Sequence, residues 1–156
     1  MKSNDALYGI RHLSPDECWE AVRGAEVGRL GVVIDGAPEI FPVNFAVDRG
    51  TVVFRTAEGT KLDGALPGNR VVFEVDGYNP ETNQAWSAVI KGTADRARSI
   101  EEVLETVALP IFPWQAGDKT SYVTIVPAEI TGRRFHVQAG ARRSRSISEV
   151  RADGQA

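Results

Sequence analysis

From Val27 onward, β-branched and alternating apolar residues occur in short runs that turn-forming residues separate. Such runs are typical of strands, and two intervening turns, Asp35-Gly36 and Asp48-Arg49-Gly50, carry the glycine that tight hairpins need for a positive φ. The first three strands are therefore predicted to form an antiparallel meander. Pro38 and Pro42 in the second strand indicate a sheet edge or a bulge, because proline donates no backbone hydrogen bond. The pattern predicts strands at residues 30–34, 40–47, 51–56, 70–75, 85–94, 122–126 and 130–135.

Three short stretches have the signatures of helices. Ser14-Pro15-Asp16-Glu17 supplies a capping hydroxyl, a proline suited to the first turn and acids suited to its positive end, and Gly24 ends the segment. Thr60-Lys61-Leu62-Asp63 is a second capped start, which Pro67-Gly68-Asn69 stops after about two turns. Residues 99–108 repeat apolar side chains at helical spacing. Because no βαβ alternation is present, the sequence predicts a mainly β, antiparallel barrel or sandwich with short helices.

The chain of 156 residues is long enough for one domain with a substantial core but short for two. We expect a flexible N-terminus at 1–13, one domain at 14–138 and a disordered tail at 139–156, where Arg, Ser and Gly prevail. The one cysteine, Cys18, excludes an internal disulfide and a cysteine-based zinc site, and we interpret it as a packing residue. No spacing of His, Asp and Glu indicates a metal site.

The net charge and the length of the apolar runs limit the kinds of partner that the protein is expected to bind. A formal net charge of -3 gives no broad positive field for nucleic acid or anionic lipid. The N-terminus lacks a basic segment followed by an apolar run, and the apolar runs are far shorter than the roughly 20 residues that cross a bilayer. We therefore expect a cytoplasmic protein that binds neither nucleic acid nor membranes.

The segment from Arg55 to Lys61 has the clearest chemical content, because a strand ends there, a glycine turn follows and a helix begins. Arg55 and Lys61 are cations, Thr56 and Thr60 are hydroxyl donors, and the amides at the helix start are further donors. Together they suit one dianionic phosphate, since arginine grips two oxygens and lysine adds a point charge. The alternative is that both cations are solvated and Thr60 only caps the helix. Neither the Walker nor the dinucleotide glycine pattern is present, which favours a mononucleotide phosphate.

Two further positions have both a structural and a functional interpretation. Asn44 is a polar residue in an apolar strand, and its amide either bonds to neighbouring backbone or meets the polar edge of a flat heterocycle. Trp86 begins the strand at 85–94 and either packs in the core or forms a wall of a flavin site.

These segments together resemble the pyridoxamine 5'-phosphate oxidase-like family, the FMN-binding split barrels, over residues 14–135. The resemblance implies a split β-barrel with Greek-key-like connections, a homodimer, and two FMN sites at the subunit interface. It rests on Val27-Gly28-Arg29-Leu30-Gly31, on Pro42-Val43-Asn44-Phe45, on Phe54-Arg55-Thr56 followed by Gly59-Thr60-Lys61-Leu62, and on residues 86–94.

The resemblance also implies roles for particular residues. The strand that lines the isoalloxazine ring in the family corresponds here to Pro42, Val43 and Asn44. The positions that bind the ribityl phosphate correspond to Arg55, Thr56, Thr60 and Lys61. An interface residue that the family often places near the cofactor corresponds to Trp86.

The C-terminal end departs from the family's pattern. Pyridoxamine phosphate oxidases end with an arginine-rich substrate signature and a Phe-Trp pair, whereas this chain reads Thr131-Gly132-Arg133-Arg134-Phe135-His136-Val137. Vitamin B6 oxidation is therefore not expected. Trp114 and the segment Gly132-Arg133-Arg134 are similar instead to the actinobacterial flavin- or deazaflavin-dependent reductases of this superfamily. The alternatives for them are a loop anchor and a solvated basic turn.

Three functions are consistent with these features. The first is an FMN-dependent oxidoreductase with a small-molecule electron donor and acceptor, in which no catalytic side chain is identified because the flavin carries the electron chemistry. The second is a reductase that uses a deazaflavin coenzyme, whose longer acidic tail would need further cations such as Arg133 or Arg134. The third is a non-catalytic protein that binds or sequesters a flavin or haem.

Overall fold

A computed structural model gives the structure of the protein and describes residues 9–57, 59–96 and 120–138. The helix predicted at 99–108, Trp114 and the C-terminal tail lie outside these residues. Within them, no helix is long and apolar enough to span a bilayer. In chain order the elements are β1 (Arg11–Leu13), α1 (Pro15–Arg23), β2 (Val27–Ile34), β3 (Ala37–Asp48), β4 (Thr51–Ala57), α2 (Lys61–Ala65), β5 (Arg70–Asn79), β6 (Gln84–Arg96) and β7 (Thr120–His136).

The strands pair in antiparallel fashion and close into a ring. Around the ring the order is β7, β4, β3, β2, β5 and β6, and β6 pairs with β7 to complete it. Because β6 occupies one edge of β7, strands β4 and β1 share the other edge at different heights. The ladder between β3 and β4 extends only over Phe45–Asp48 in the described residues. The protein is therefore a split β-barrel, as the sequence predicts.

Both predicted hairpin turns are present. Asp35 and Gly36 have φ of 51° and 78°, and Arg49 and Gly50 have φ of 47° and 75°. Two consecutive residues with positive φ are the pattern of the tight turns that match strand twist, so these turns fix the meander's register.

The prolines of β3 lie at a sheet edge, as predicted. Residues 37–44, which include Pro38 and Pro42, pair with β2 and with no other strand among the described residues. The register to β2 runs without a shift over this stretch, so there is no bulge at Pro42. A residue that lacks an N–H donor is tolerated here because one side of the strand needs no ladder bond.

Large apolar side chains fill the barrel, and Phe73 lies among them on β5. Its ring meets Phe45 edge-on, with centroids 5.0 Å apart and planes at 76°. It also occupies the space that a side chain at Gly28 would need. The glycine in β2 therefore leaves room for an aromatic ring from the neighbouring strand β5. The core includes Leu30, Phe54, Ile90 and Ile125, each at 0% exposure.

Helix α1 begins and ends where the sequence predicts. The backbone N–H of Glu17 donates to Ser14 Oγ at 3.3 Å, and the Glu17 carboxylate accepts the backbone N–H of Ser14 at 2.8 Å. This reciprocal pair is a capping box, and Gly24 caps the other end. Cys18 on this helix is fully buried, as expected of a packing residue.

Strand β1 lies within the stretch expected to be a flexible N-terminus. It pairs with residues 132–134 of β7, and Leu13 is 8% exposed. The close approach of β1 and α1 to β7 depends on Gly132, where a Cβ would lie 2.7 Å from Cys18 Sγ and 3.3 Å from Leu13 Cδ1. The sequence did not reveal this strand because three residues are too few to show alternation. The other predicted domain boundaries stay a prediction.

The two strands predicted at 122–126 and 130–135 form one strand, β7. Its register to β6 shifts in the middle, since Lys91 is opposite Glu129 and Gly92 is opposite Pro127. The extra residue makes a β-bulge, and Gly92 permits it because a Cβ there would collide with the Val126 carbonyl. A proline inside a bulge resembles a strand end in the sequence, which explains the difference.

Gly28→Ala tests whether close packing of Phe73 on β2 stabilises the barrel. We expect the free energy of unfolding, measured by urea denaturation, to fall by about 1–3 kcal/mol because the added methyl overpacks the core. The matched control is Gly64→Ala, since a Cβ at that glycine of α2 meets no atom within 4 Å. The control should be neutral or slightly stabilising; an equal loss in both variants would contradict the packing argument.

Candidate functional site

The barrel opens where the ladder between β3 and β4 stops. Phe45 is opposite Phe54 in the last pair of that ladder. Among the described residues, 37–44 then pair with β2 alone and 55–57 with β7 alone. Continuing the register would have set residues 42–44 against 55–57, so these two stretches flank the opening. The predicted site residues that the fold places here are Pro42, Val43 and Asn44 on one side and Arg55 and Thr56 on the other.

Arg55 and Thr56 lie on opposite faces of β4. Phe54 and Thr56 are buried on the inner face, and Arg55 alternates with them and is half-buried on the outer face. The Arg55 guanidinium carbon lies 5.7 Å from the centre of the Tyr122 ring. Tyr122 is the cross-strand partner of Arg55 on β7, so the ladder itself sets this contact.

The corner between β4 and α2 is built around a buried carboxylate, Asp63, which is 2% exposed. The Thr56 hydroxyl donates to its Oδ1 at 3.3 Å, and the Gly59 backbone N–H donates to its Oδ2 at 2.9 Å. Arg96 at the end of β6 donates Nη2 to the same Oδ2 at 2.9 Å. The Thr56 hydroxyl, which the sequence offered to a ligand phosphate, is thus engaged by the protein's own anion, as is the Gly59 amide.

The pKa of Asp63 lies below its ordinary value. Burial alone would raise it, but hydrogen bonds from the Gly59 amide, Ser121 and Thr56, together with the positive charge of Arg96, outweigh the burial. The carboxylate is therefore ionised at neutral pH and holds α2, β4, β6 and β7 together at one point.

Thr60 caps α2, as predicted. Its hydroxyl accepts the backbone N–H of Asp63 at 3.1 Å and donates to the carbonyl of Ala57 at 2.9 Å. These two bonds occupy its hydrogen and one of its lone pairs. Thr60 is therefore the helix cap that its structural interpretation predicts.

Lys61 begins α2 with its side chain 62% exposed. Its Nζ lies 3.6 Å from an Asp35 carboxylate oxygen and 3.7 Å from a Glu39 oxygen, both on the β2–β3 hairpin. Because these groups are exposed, the pairs contribute little to stability, and an incoming phosphate can replace them. Lys61 is therefore accessible to a ligand at the corner.

Asn44 makes the backbone contact foreseen by its structural interpretation. Its Nδ2 donates to the carbonyl of Glu26 at 3.4 Å, and the Phe45 N–H donates to the same oxygen at 3.2 Å. The bond directs the Nδ2 end of the amide toward Glu26.

Trp86 is half-buried and packs against the core. Its indole lies on Gly77, where a Cβ would be 2.7 Å from the ring carbon Cε2. Trp86 is the cross-strand partner of Gly77, in the part of the sheet formed by β5 and β6. It thus lies on strands other than the two that flank the opening.

Trp86 also borders an outer groove of about 490 Å³ between β5, β6 and β7. Glu74 and Asp76 line this groove, and each accepts from Arg29 Nη1 at 3.0 Å. The hydrogen bond and charge of Asp76, with the charge of Glu74, raise the pKa of Arg29. Arg133, predicted as a cation for a longer ligand tail, lines the same groove.

Sequence reasoning missed Asp63, Arg96 and Tyr122. The first reads as part of a capped helix start, and its buried position depends on Arg96, which is distant in the chain. Tyr122 reads as an ordinary strand residue until the β4–β7 register is known. For Asp63 the sequence offered one signal, a charged residue in the first turn of a short helix.

A model of the pyridoxamine 5'-phosphate oxidase family matches residues 14–134 of the chain. The FAD binding protein of Mycobacterium smegmatis has a similar structure, with a TM-score of 0.73 and 40% identity, over 82% of this chain and 100% of that one. An uncharacterised protein of Mycobacterium tuberculosis is 30% identical over 131 residues, which are 81% of this chain and 86% of the relative. A FAD-binding protein from Mesorhizobium loti shares the fold at 23% identity and a TM-score of 0.67, over 80% of this chain and 97% of that one.

Asp63→Asn tests the buried carboxylate. We expect the free energy of unfolding at pH 7 to fall by about 1–3 kcal/mol, because its donors would face a neutral amide. Since the folded-state pKa is depressed, the carboxylate's contribution is present above its unfolded value of 3.8 and is lost as the pH falls toward the folded value. Urea unfolding at pH 7 and at about pH 3 should show the wild-type advantage shrinking in acid.

The control for this change is Glu81→Gln, which removes a carboxylate from an exposed turn. It should alter stability by less than about 0.5 kcal/mol. An advantage over Asp63→Asn that stays constant down to the acid limit would contradict an ionised Asp63.

Proposed function

The chain belongs to the pyridoxamine 5'-phosphate oxidase family, and on that basis we propose that it is a flavin-dependent oxidoreductase. The ligand is FMN, or the same riboflavin-phosphate moiety within FAD. Support comes from the family match and from the flavin-binding protein of 40% identity that covers 82% of this chain.

The observation that carries the proposal is the opening between β3 and β4. A flat heterocycle with a polar edge needs backbone donors and acceptors that a sheet has not already paired. Residues 42–44 and 55–57 present such strand edges toward one another, within the described chain. In this proposal, Pro42, Val43 and Asn44 line the isoalloxazine ring.

The cations that would hold the phosphate are Arg55 and Lys61. Arg55 is half-buried beside the opening, and Lys61 is the first residue of α2, with the carboxylates of Asp35 and Glu39, 86% and 38% exposed, near its ammonium group. Thr56 and Thr60 serve chiefly to shape the corner, because their hydroxyls bond to Asp63 and Ala57. The residues present therefore fit a phosphate at the outer side of the corner rather than inside it.

A bound flavin supplies the electron transfer chemistry, and the protein's residues bind and orient it. Asn44 would present its side-chain amide at the edge of the opening, and backbone groups of residues 42–44 would bind the ring's polar edge, with Pro42 offering only its carbonyl. Arg55 and Lys61 anchor the phosphate end. The electron acceptor is a small molecule that reaches the ring's open face.

We also propose that the protein is a homodimer with the flavin near the subunit interface. The support is an outer sheet face with a groove of about 620 Å³ lined in part by Val33 and Val72. Val33 is 55% exposed and Val72 is 40% exposed. Contiguous exposed apolar residues on a sheet face are typical of surfaces that another protein covers.

The first experiment identifies the ligand and then removes its anchor. Mass spectrometry of the copurified chromophore should find FMN or FAD. The variant Arg55→Gln/Lys61→Gln should weaken FMN binding by at least about 100-fold in fluorescence titration, because hydrogen bonds to charged groups contribute about 1.5–3 kcal/mol each. Riboflavin, which has no phosphate, should bind the wild type and this variant with similar affinity.

The control Arg11→Gln/Arg23→Gln removes the same charge from exposed positions on β1 and α1. It should leave FMN affinity unchanged. Equal FMN affinity in the wild type and the Arg55/Lys61 variant would overturn the phosphate assignment. A colourless protein that binds a reduced deazaflavin coenzyme tightly would favour the alternative reductase, and bound flavin without turnover would favour a sequestering protein.

Sedimentation velocity tests the dimer. We expect the wild type to sediment as a dimer at micromolar concentration, and Val72→Asp to shift it toward monomer, because a buried unpaired carboxylate opposes association. A wild-type monomer would exclude a flavin site shared between subunits.

A further inference from the structure

Arg55 and Tyr122 form a cation–π pair on the outer face of the β4–β7 ladder. The guanidinium carbon lies 5.7 Å from the ring centre, and the two residues are direct cross-strand partners. Both side chains are half-buried. Their relative placement is thus set by backbone register rather than by flexible surface chains.

Such a pair restricts the conformations open to the arginine side chain. An arginine loses about 2 kcal/mol of rotamer freedom when it is fixed, and an aromatic ring held by a sheet imposes part of that restriction before a ligand arrives. Binding to an already ordered group is tighter because less entropy is lost at that moment. The ring acts on the guanidinium charge through its π face, whereas a phosphate accepts N–H groups in the guanidinium plane, so the two contacts do not use the same donors.

We propose that Tyr122 is a positioning residue that orders Arg55 for the ligand's phosphate and so makes the site select phosphorylated flavins over riboflavin. The proposal rests on the proposed function, since it takes Arg55 as the phosphate anchor. It names a residue that contributes to the anchor's orientation.

Lys61 does not have the same restraint. Its side chain is 62% exposed, and its neighbours Asp35 and Glu39 lie at 3.6 and 3.7 Å on a hairpin. It adds charge without a fixed direction. Selectivity for the phosphate therefore depends on Arg55 and on the ring that holds it.

The test compares Tyr122→Leu, which removes the ring, with Tyr122→Phe, which keeps it. The readout is the ratio of the riboflavin dissociation constant to the FMN dissociation constant, measured by fluorescence titration. Tyr122→Leu should lower this ratio about two- to five-fold through weaker FMN binding alone, the range expected for a partly exposed cation–π contact. Tyr122→Phe should keep the wild-type ratio.

A purely structural role would weaken both ligands together and leave the ratio unchanged, which would overturn the proposal. A ratio lowered equally in Tyr122→Phe would also overturn it, because the hydroxyl and not the ring would then be responsible. If Tyr122→Leu does not fold, Tyr122→Ile keeps a strand-forming residue without the ring and carries the same expectation.

A double-variant comparison separates this proposal from the proposed function. In an Arg55→Gln background, Tyr122→Leu should cause no further change in the ratio, because the ring has no guanidinium to hold. If Arg55→Gln itself leaves the wild-type ratio unchanged, the phosphate assignment fails. If Arg55→Gln lowers the ratio and Tyr122→Leu does not, only the positioning role of Tyr122 fails.

Discussion

The buried carboxylate of Asp63 ties the open end of the barrel together. It accepts from Thr56 on β4, from the Gly59 amide in the turn and from Arg96 at the end of β6. The network holds the last residues of β4 on the side of β6 and β7, away from β3. The ladder with β3 has ended at Phe45–Phe54, and the edges of residues 42–44 and 55–57 lie on either side of the opening that follows.

Close packing at glycines sets the rest of the barrel's shape. Gly28 admits the Phe73 ring, Gly77 admits the Trp86 indole, and Gly132 admits Cys18 and Leu13. Each is a place where a large side chain from one element lies directly on the backbone of another. This explains why the segment around Gly28 is informative in sequence: its glycine is needed for the core rather than for the ligand. Trp86 is another large side chain that packs on a glycine, Gly77, so this packing explains much of why a tryptophan occurs at that position.

Interactions between residues close in sequence predicted the fold well, whereas interactions between distant residues limited the prediction of the site. Turns such as Asp35-Gly36 and the cap at Ser14 are specified by adjacent residues, so the meander and α1 follow from the sequence. The bulge that merges two predicted strands into β7 depends on a register between β6 and β7 that no local pattern contains. Likewise, the partner of Asp63 is Arg96 from another strand. The residues that flank the opening cluster in sequence and could be named from it, whereas Arg96 and Tyr122, which contact the corner from other strands, could not.

The two faces of the β4–β7 ladder carry different charged groups near the corner. On the inner face, Thr56 and Ser121 turn toward Asp63, whose charge is balanced by Arg96. On the outer face, Arg55 lies on Tyr122. An anion from solution cannot use the inner donors without displacing a carboxylate that is 2% exposed, and the cost of leaving that carboxylate unpaired is high. The proposed phosphate would therefore be left to Arg55 on the outer face and to Lys61, whose side chain is 62% exposed.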